Sequence, residues 1–257
     1  MSHPATTVTH MTEPGERRLY AAWRNPEGLI RPVGVLTRLR TADGYSYRFV
    51  YLKAAEQFDG FICLPGLPEL HSVYESECLF PVFRNRLMPR SRPDYGHYVS
   101  ELALDVDTDP FEVLIRSEGR RATDRVEVFA HPERTPEGTL TTRFFVRGIR
   151  HLDGAAAAVD DVQPGEVLEL VDQPDNRVNR RALLVSTRTG RRLGWIPDCL
   201  LEMVHHLRDV DAPVKVTADH VNPDTSPPHM RLLCRLVAPW PDGYEPLSGP
   251  EYQPMAA

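Results

Sequence analysis

The chain has 257 residues, 24 of them Pro and 16 Gly, and its 30 basic and 36 acidic residues leave a net charge of −6. That much Pro excludes a protein of long helices, since each proline removes a donor and clashes one turn back; the expectation is a β-rich α+β fold with many turns. The length suits one large domain or two of roughly 100–150 residues, and the acidic balance argues against a polybasic nucleic-acid coat.

Residues 1–15 carry Pro4, Thr6, Thr7, Thr9 and Pro14 and read as a disordered start without the apolar stretch of a signal peptide. Val33–Thr37 is an apolar, β-branched strand. After the turn at Asp43-Gly44, Tyr45, Tyr47, Phe49 and Tyr51 alternate with Ser46, Arg48, Val50 and Leu52. The pair predicts a hairpin with an aromatic face, which serves as core or as a platform for bases. Phe61–Pro68 is an extended loop. Leu79, Phe83 and Leu87 predict a helix within Tyr74–Leu87, interrupted by Pro81. Ser91, Pro93, Tyr95, Tyr98 and Leu102 predict a second helix over Arg92–Leu102. The acidic run Leu104–Pro110 marks a boundary. Residues 108–139 then read as a linker holding a short helix, Pro110–Ser117, and a strand, Arg125–Phe129.

From Thr139 onward, short strands are expected at Arg143–Ile149, Val167–Val171, Ala182–Ser186, Leu193–Ile196, Val214–Ala218 and Leu232–Val237, with one helix at Pro197–Leu207. Such a series over residues 140–238 predicts a small, partly closed barrel. The last 19 residues hold five prolines and no basic residue and read as a disordered tail over 239–257.

Catalytic signatures are absent. No glycine-rich phosphate loop, G-x-S-x-G elbow, H-E-x-x-H or kinase loop occurs, so the expectation is a protein that is not an enzyme and needs no cofactor. Cys199, His205, His206, His220, His229 and Cys234 approach zinc spacing only in mixed pairs, so no metal site is expected. Cys63, Cys78, Cys199 and Cys234 form no C-x-x-C pair. They read as reduced thiols of a cytoplasmic protein, and no apolar run is long enough to span a membrane.

Charge is more specific than motif. Lys occurs only at positions 53 and 215, so 28 of the 30 cations are Arg. Such a bias reflects either phosphate and base recognition or a GC-rich genome. Locally, Arg177, Arg180, Arg181, Arg188, Arg191 and Arg192 occur without an intervening acid, as a phosphate-tracking groove or as a charged hairpin edge. Arg84, Arg86, Arg90 and Arg92 form a second acid-free run, with the alternative of cations at a helix C-terminus.

The stretch from Phe145 to Leu207 resembles a HIRAN domain. The resemblance rests on Val146-Arg147-Gly148-Ile149-Arg150, Pro164-Gly165-Glu166-x-Leu168-Glu169-Leu170, Gln173-Pro174-Asp175-Asn176, Arg181–Val185 and Leu193-Gly194-Trp195-Ile196-Pro197. It implies an OB-like small β-barrel that binds single-stranded DNA, especially a free 3′ end. The family's stacking aromatics fall on His151 and Leu152, and its Pro, Tyr and Asp fall on Arg177, Val178 and Asn179. Leucine cannot stack and Asn carries no charge, so contact is expected to shift toward phosphates through Arg177, Arg180 and Arg181.

The amino-terminal part resembles the small module preceding the core of HipA-like kinases, through Gly34-Val35-Leu36, Tyr45–Phe49, Phe58–Phe61 and Leu79-Phe80-Pro81-x-Phe83-x-Asn85-Arg86-Leu87. The kinase core is missing after residue 107, so the resemblance implies recruitment of a protein partner and no phosphotransfer.

Together these readings predict two modules, 16–107 and 140–238, in a non-enzymatic DNA-binding protein that needs no cofactor. The expected contacts are Arg150, His151, Arg177, Asn179, Arg180, Arg181, Arg188, Arg191, Arg192 and Trp195. A protein-interaction scaffold without DNA affinity, in toxin–antitoxin control, repair or defence, is the alternative, and a metal-dependent hydrolase accessory is the third. Partitioned along the chain, the charge is even in both modules: residues 16–107 hold 12 basic and 12 acidic residues, and 140–238 hold 13 of each. The deficit lies in the connecting and terminal segments.

Overall fold

The computed structural model describes residues 16–24, 30–121 and 124–256. The expected disorder at 1–15 lies outside them. The strands are β1 (Arg17–Arg24), β2 (Ile30–Thr41), β3 (Gly44–Tyr51), β4 (Tyr74–Ser76), β5 (Val126–Ala130), β6 (Glu133–Arg134), β7 (Thr139–Phe145), β8 (Val167–Asp172), β9 (Leu183–Ser186), β10 (Arg192–Trp195), β11 (Lys215–Val221) and β12 (Leu232–Pro239). The helices are α1 (Pro81–Arg84), α2 (Tyr95–Glu101), α3 (Pro110–Ser117), α4 (Ala155–Asp160) and α5 (Leu201–Asp209). The fold is α+β and strand-rich, in two antiparallel sheets ordered β4-β3-β2-β1-β5 and β10-β9-β8-β11-β12-β7-β6.

The predicted hairpin is β2–β3, with Thr41 opposite Gly44. Its aromatic face is core: Phe49 and Tyr51 are fully buried, with rings 4.9 Å apart and nearly perpendicular. The Tyr51 hydroxyl accepts from Leu64 N and donates to Leu67 O, both at 2.7 Å, which pins the extended loop beneath the sheet. The helix expected within Tyr74–Leu87 is replaced by β4 and the single turn α1. Tyr74 pairs with Phe49 as an edge strand, and Pro81 starts a helix that the 74–80 segment could not share. Leu79, Phe80 and Phe83 all fill this core.

Residues 108–139 are not a linker. The Asp109 side chain caps α3 by accepting from Phe111 N, and Phe111 and Leu114 enter the first core. Strand β5 pairs with β1, covering an edge that would otherwise expose backbone donors and acceptors. The first module therefore runs through Ala130, while β6 already pairs with β7 of the second sheet.

Nor is the carboxy-terminal segment free. Lys53 N donates to Gln253 O and Met255 N to Tyr51 O, at 2.8 and 2.9 Å. Leu247 packs with Tyr20 and Leu52 on the back of the first sheet. Of its five prolines, Pro239 ends β12 opposite Thr139 and Pro254 bridges to Leu52, and together they stiffen the segment and lower the entropy lost when it docks. Burial of Leu52 on the face opposite Phe49 and Tyr51 follows from it.

The second sheet curls into a barrel around Phe144, Leu168, Val185, Leu193, Val204 and Leu236. It closes at one point. Beyond β7, Arg147 N donates to Trp195 O at 2.8 Å, and Trp195 N donates to Arg147 O at 2.9 Å. Closure explains two motif glycines. A Cβ on Gly194 would lie 2.4 Å from Arg147 O, and one on Gly148 would lie 2.6 Å from the Trp195 ring. Both residues have positive φ, which L side chains rarely adopt. The two sheets also share a small core of Leu102, Val113, Phe145, Met230 and Leu233.

Candidate nucleic-acid interface

The six arginines from 177 to 192 do not line one groove. They divide between the two ends of β9. Arg188, Arg191 and Arg192 surround the tight turn from β9 to β10, where Thr187 N donates to Arg191 O. There Arg191 is already bound, to Asp161 at 2.6 Å and to Ala157 O at 3.2 Å. Arg177, Arg180 and Arg181 occupy the loop leading into the other end of β9. β10 runs antiparallel with Trp195 opposite Leu184, so Trp195 arrives at that same end. Gly148 packs on the Trp195 ring, and the turn Ile149–His151 follows directly. Arg150, His151, Arg177, Asn179, Arg180, Arg181 and Trp195 therefore gather at the barrel's closure, while Arg188, Arg191 and Arg192 lie away from it.

The loop is held by its own polar side chains. Asn176 Oδ1 accepts from Val178 N and Asn179 N, at 2.9 and 3.1 Å, and Asn179 Oδ1 accepts from Arg181 N at 3.0 Å. Asn179 Nδ2 donates to Asp198 at 3.2 Å, and the Arg181 carbonyl lies 2.9 Å from His205 Nε2. Locked this way, the loop projects the side chains of Arg177, Arg180 and Arg181 outward. None of the three makes a side-chain hydrogen bond or ion pair among the described residues, and Val178 between them is 91% exposed. Arg150 Nε donates to His151 Nε2 at 3.1 Å. Trp195 is half-buried, and its Nε1 is a buried donor without a partner among the described residues.

Sequence reasoning missed the charge network beneath this surface. Arg147 Nη2 binds Glu118 at 2.7 Å and lies 3.8 Å from Glu127, both at the edge of the first module. Burial raises the Glu118 carboxyl above its ordinary range, against the pull of Arg147. Burial works against the Arg147 charge, but Glu118 and Glu127 outweigh it and leave it raised. His229 is pushed down to about 4 by burial and by Arg120, Arg147 and Arg150. Burial likewise raises the Cys199 thiol, which makes it a poor nucleophile or ligand. Arg147 stood inside the V-x-G-x-R run, but nothing in the sequence near residues 118 and 127 pointed to it. Among the described residues, no three His, Cys, Asp or Glu side chains gather as metal ligands, and no helix is long and apolar enough to cross a membrane.

The model of the HIRAN domain family matches residues 140–240. Two solved structures are similar to the chain. One is a protein from Lactobacillus plantarum, at 18% identity and a TM-score of 0.33, covering 39% of this chain and 97% of that one. The other is the HIRAN domain of human HLTF, at 17% identity and a TM-score of 0.31, covering 40% of this chain and 81% of that one. No curated protein matches. On the family match, residues 140–240 of this chain are a HIRAN domain.

Proposed function

We propose that this protein binds nucleic acid, single-stranded DNA in particular, at the closure end of its barrel, and that it does so without catalysing a reaction. The observation that carries the reading is the grouping of Arg177, Arg180 and Arg181, exposed and without a hydrogen-bond or ion-pair partner among the described residues, beside Trp195 and the turn Ile149–His151. Planar guanidinium forks there are free to take phosphates. Val178 offers an apolar contact to a base. An unpaired arginine also releases counterions on binding without first losing a protein partner. Arg188 and Arg192 extend phosphate contact along the hairpin, and Arg191 contributes less because Asp161 holds it.

The strand end is the second element of the proposal. The family resemblance places an acid where Asn179 stands. Asp198, 3.2 Å from Asn179, keeps a carboxylate available to a terminal hydroxyl. The amino-terminal module, with its resemblance to that of HipA-like kinases, is proposed to recruit a protein partner.

Fluorescence anisotropy on labelled single-stranded oligonucleotides at two salt concentrations tests the reading. Binding is expected to weaken steeply with salt and to fall at least ~10-fold in the Arg177→Glu, Arg181→Glu double variant. Absence of binding at low salt, with either strand end free, would overturn it and favour the interaction scaffold.

A further inference from the structure

The first module carries its own cationic groove, of about 1110 Å³, between the segment Pro81–Arg92 and residues Gly119–Arg121. Arg84, Arg86, Arg92, Arg120 and Arg121 line it, and no acid does. Their roles differ. Arg86 forms part of the wall and is fully used, by Asp124 at 2.6 Å and by the carbonyls of Gly119 and Val126 at 2.9 Å. Arg92 is forked onto Asp94 at the rim. Arg120 shares Glu127, at 3.5 Å, with Arg24 and Arg147. Arg84 and Arg121 are exposed, and their side chains make no hydrogen bond or ion pair among the described residues. Asp94, Asp124 and Glu127 thus serve Arg92, Arg86 and Arg120, and Arg84 and Arg121 are left without a carboxylate partner among the described residues.

The groove also adjoins the barrel's closure. Arg120 borders the groove and belongs as well to the group of cations, with Arg147 and Arg150, whose field acts on His229. The turn holding His229, Pro228–Met230, packs against the turn Ile149–His151. Cations therefore run from Arg150 past Arg120 to Arg121 and Arg84. Tyr98 lines the same groove and offers ring surface of the kind that stacks with unpaired bases.

We propose that this groove is a second nucleic-acid contact, in which Arg84 and Arg121 hold the phosphodiester backbone of a single strand that continues from the barrel end across Arg120. The proposal rests on the nucleic-acid reading above. It adds that the amino-terminal module touches the same strand, and that affinity depends on strand length. A small free anion suits the groove less well, because it is wide and open and its two unpaired cations sit on separate segments.

The test is anisotropy on the full chain with single-stranded DNA of about 8 and about 25 nucleotides, the shorter within the site size of one OB-like barrel. Wild-type protein is expected to bind the longer strand more tightly. In the Arg84→Glu, Arg121→Glu variant, the longer strand should lose about 10-fold in affinity. Its salt dependence should drop by about 1.4 in logarithmic slope, two phosphates at ~0.7 each. The shorter strand should be unaffected. The milder Arg84→Gln, Arg121→Gln variant should reproduce the loss, and thermal unfolding of both variants should match wild type. Equal losses on both lengths, an unchanged longer strand, or no gain from length in the wild type would each overturn the groove and leave barrel binding intact. A wild-type protein that binds neither length would overturn both.

Discussion

Arginine does two different jobs in the core of the first module and around β9. In the first sheet, Arg38 is buried between the rings of Tyr45 and Phe111, each 4.5 Å away, and its guanidinium binds Asp109 and Glu112. Arg86 is more completely enclosed and makes five hydrogen bonds. Both are structural staples whose charge is spent inside the protein. Around β9, by contrast, Arg177, Arg180, Arg181, Arg188 and Arg192 are exposed and have no side-chain partners among the described residues. Arginine abundance is therefore a poor guide to function, and pairing state is a better one. A fork already satisfied by a carboxylate has little to gain from a phosphate, whereas a solvated one exchanges water and counterions for it.

Three stability measurements sharpen the contrast. Arg86→Ala should have the largest effect, about 3 kcal/mol in urea unfolding, because it leaves Asp124 and the carbonyls of Val82, Gly119 and Val126 without their partner. A cost below 1 kcal/mol would erase the distinction between the two sets of arginines. The junction should come next. His229 has its ordinary value of 6.5 lowered to about 4 in the folded protein, so between those values the unfolded chain takes up the proton first. Stability is then complete above pH 6.5 and falls as the pH drops toward 4, by about 1 kcal/mol since His229 retains solvent contact. His229→Asn should flatten that limb of the pH profile; an unchanged profile would assign the loss to other groups. Smallest of all, the Arg177→Glu, Arg181→Glu variant should leave stability within ~0.5 kcal/mol of wild type, even as it removes DNA binding. Marked destabilisation there would make those arginines structural as well.

Local rules read much of the fold correctly, and the exceptions share a cause. The β2–β3 hairpin, the helix α3 with its Asp109 cap and Pro110 start, and the strands β8, β9 and β10 are set by alternation, capping and turn residues within a few positions of each other. The elements read wrongly depend on distant partners. Tyr74 joins a strand because Phe49 offers it an edge. The strand predicted at Arg125–Phe129 forms as β5, but its pairing with β1 makes it an edge of the first sheet and not part of a linker, and β1, apolar at Leu19–Ala22, is held between β2 and β5. The site shows the same division. The cluster of arginines between 177 and 192 is plain in the sequence, but its separation into two ends follows from the antiparallel return of β10.

What the sequence determined by itself was a strand-rich protein with a HIRAN-like motif series, neutral modules and a local excess of arginine, because composition, alternation and turn chemistry act over short distances. Only the tertiary structure decided which arginines are spent and which remain available. Arg86 meets Asp124 across 38 positions and Arg147 meets Glu118 across the junction of the two sheets. Pairing of charge depends on distance in space, and chain spacing alone does not specify it. The same holds for the proline-rich end of the chain: its composition reads as a disordered tail, and the back of the first sheet gives that segment a place to dock.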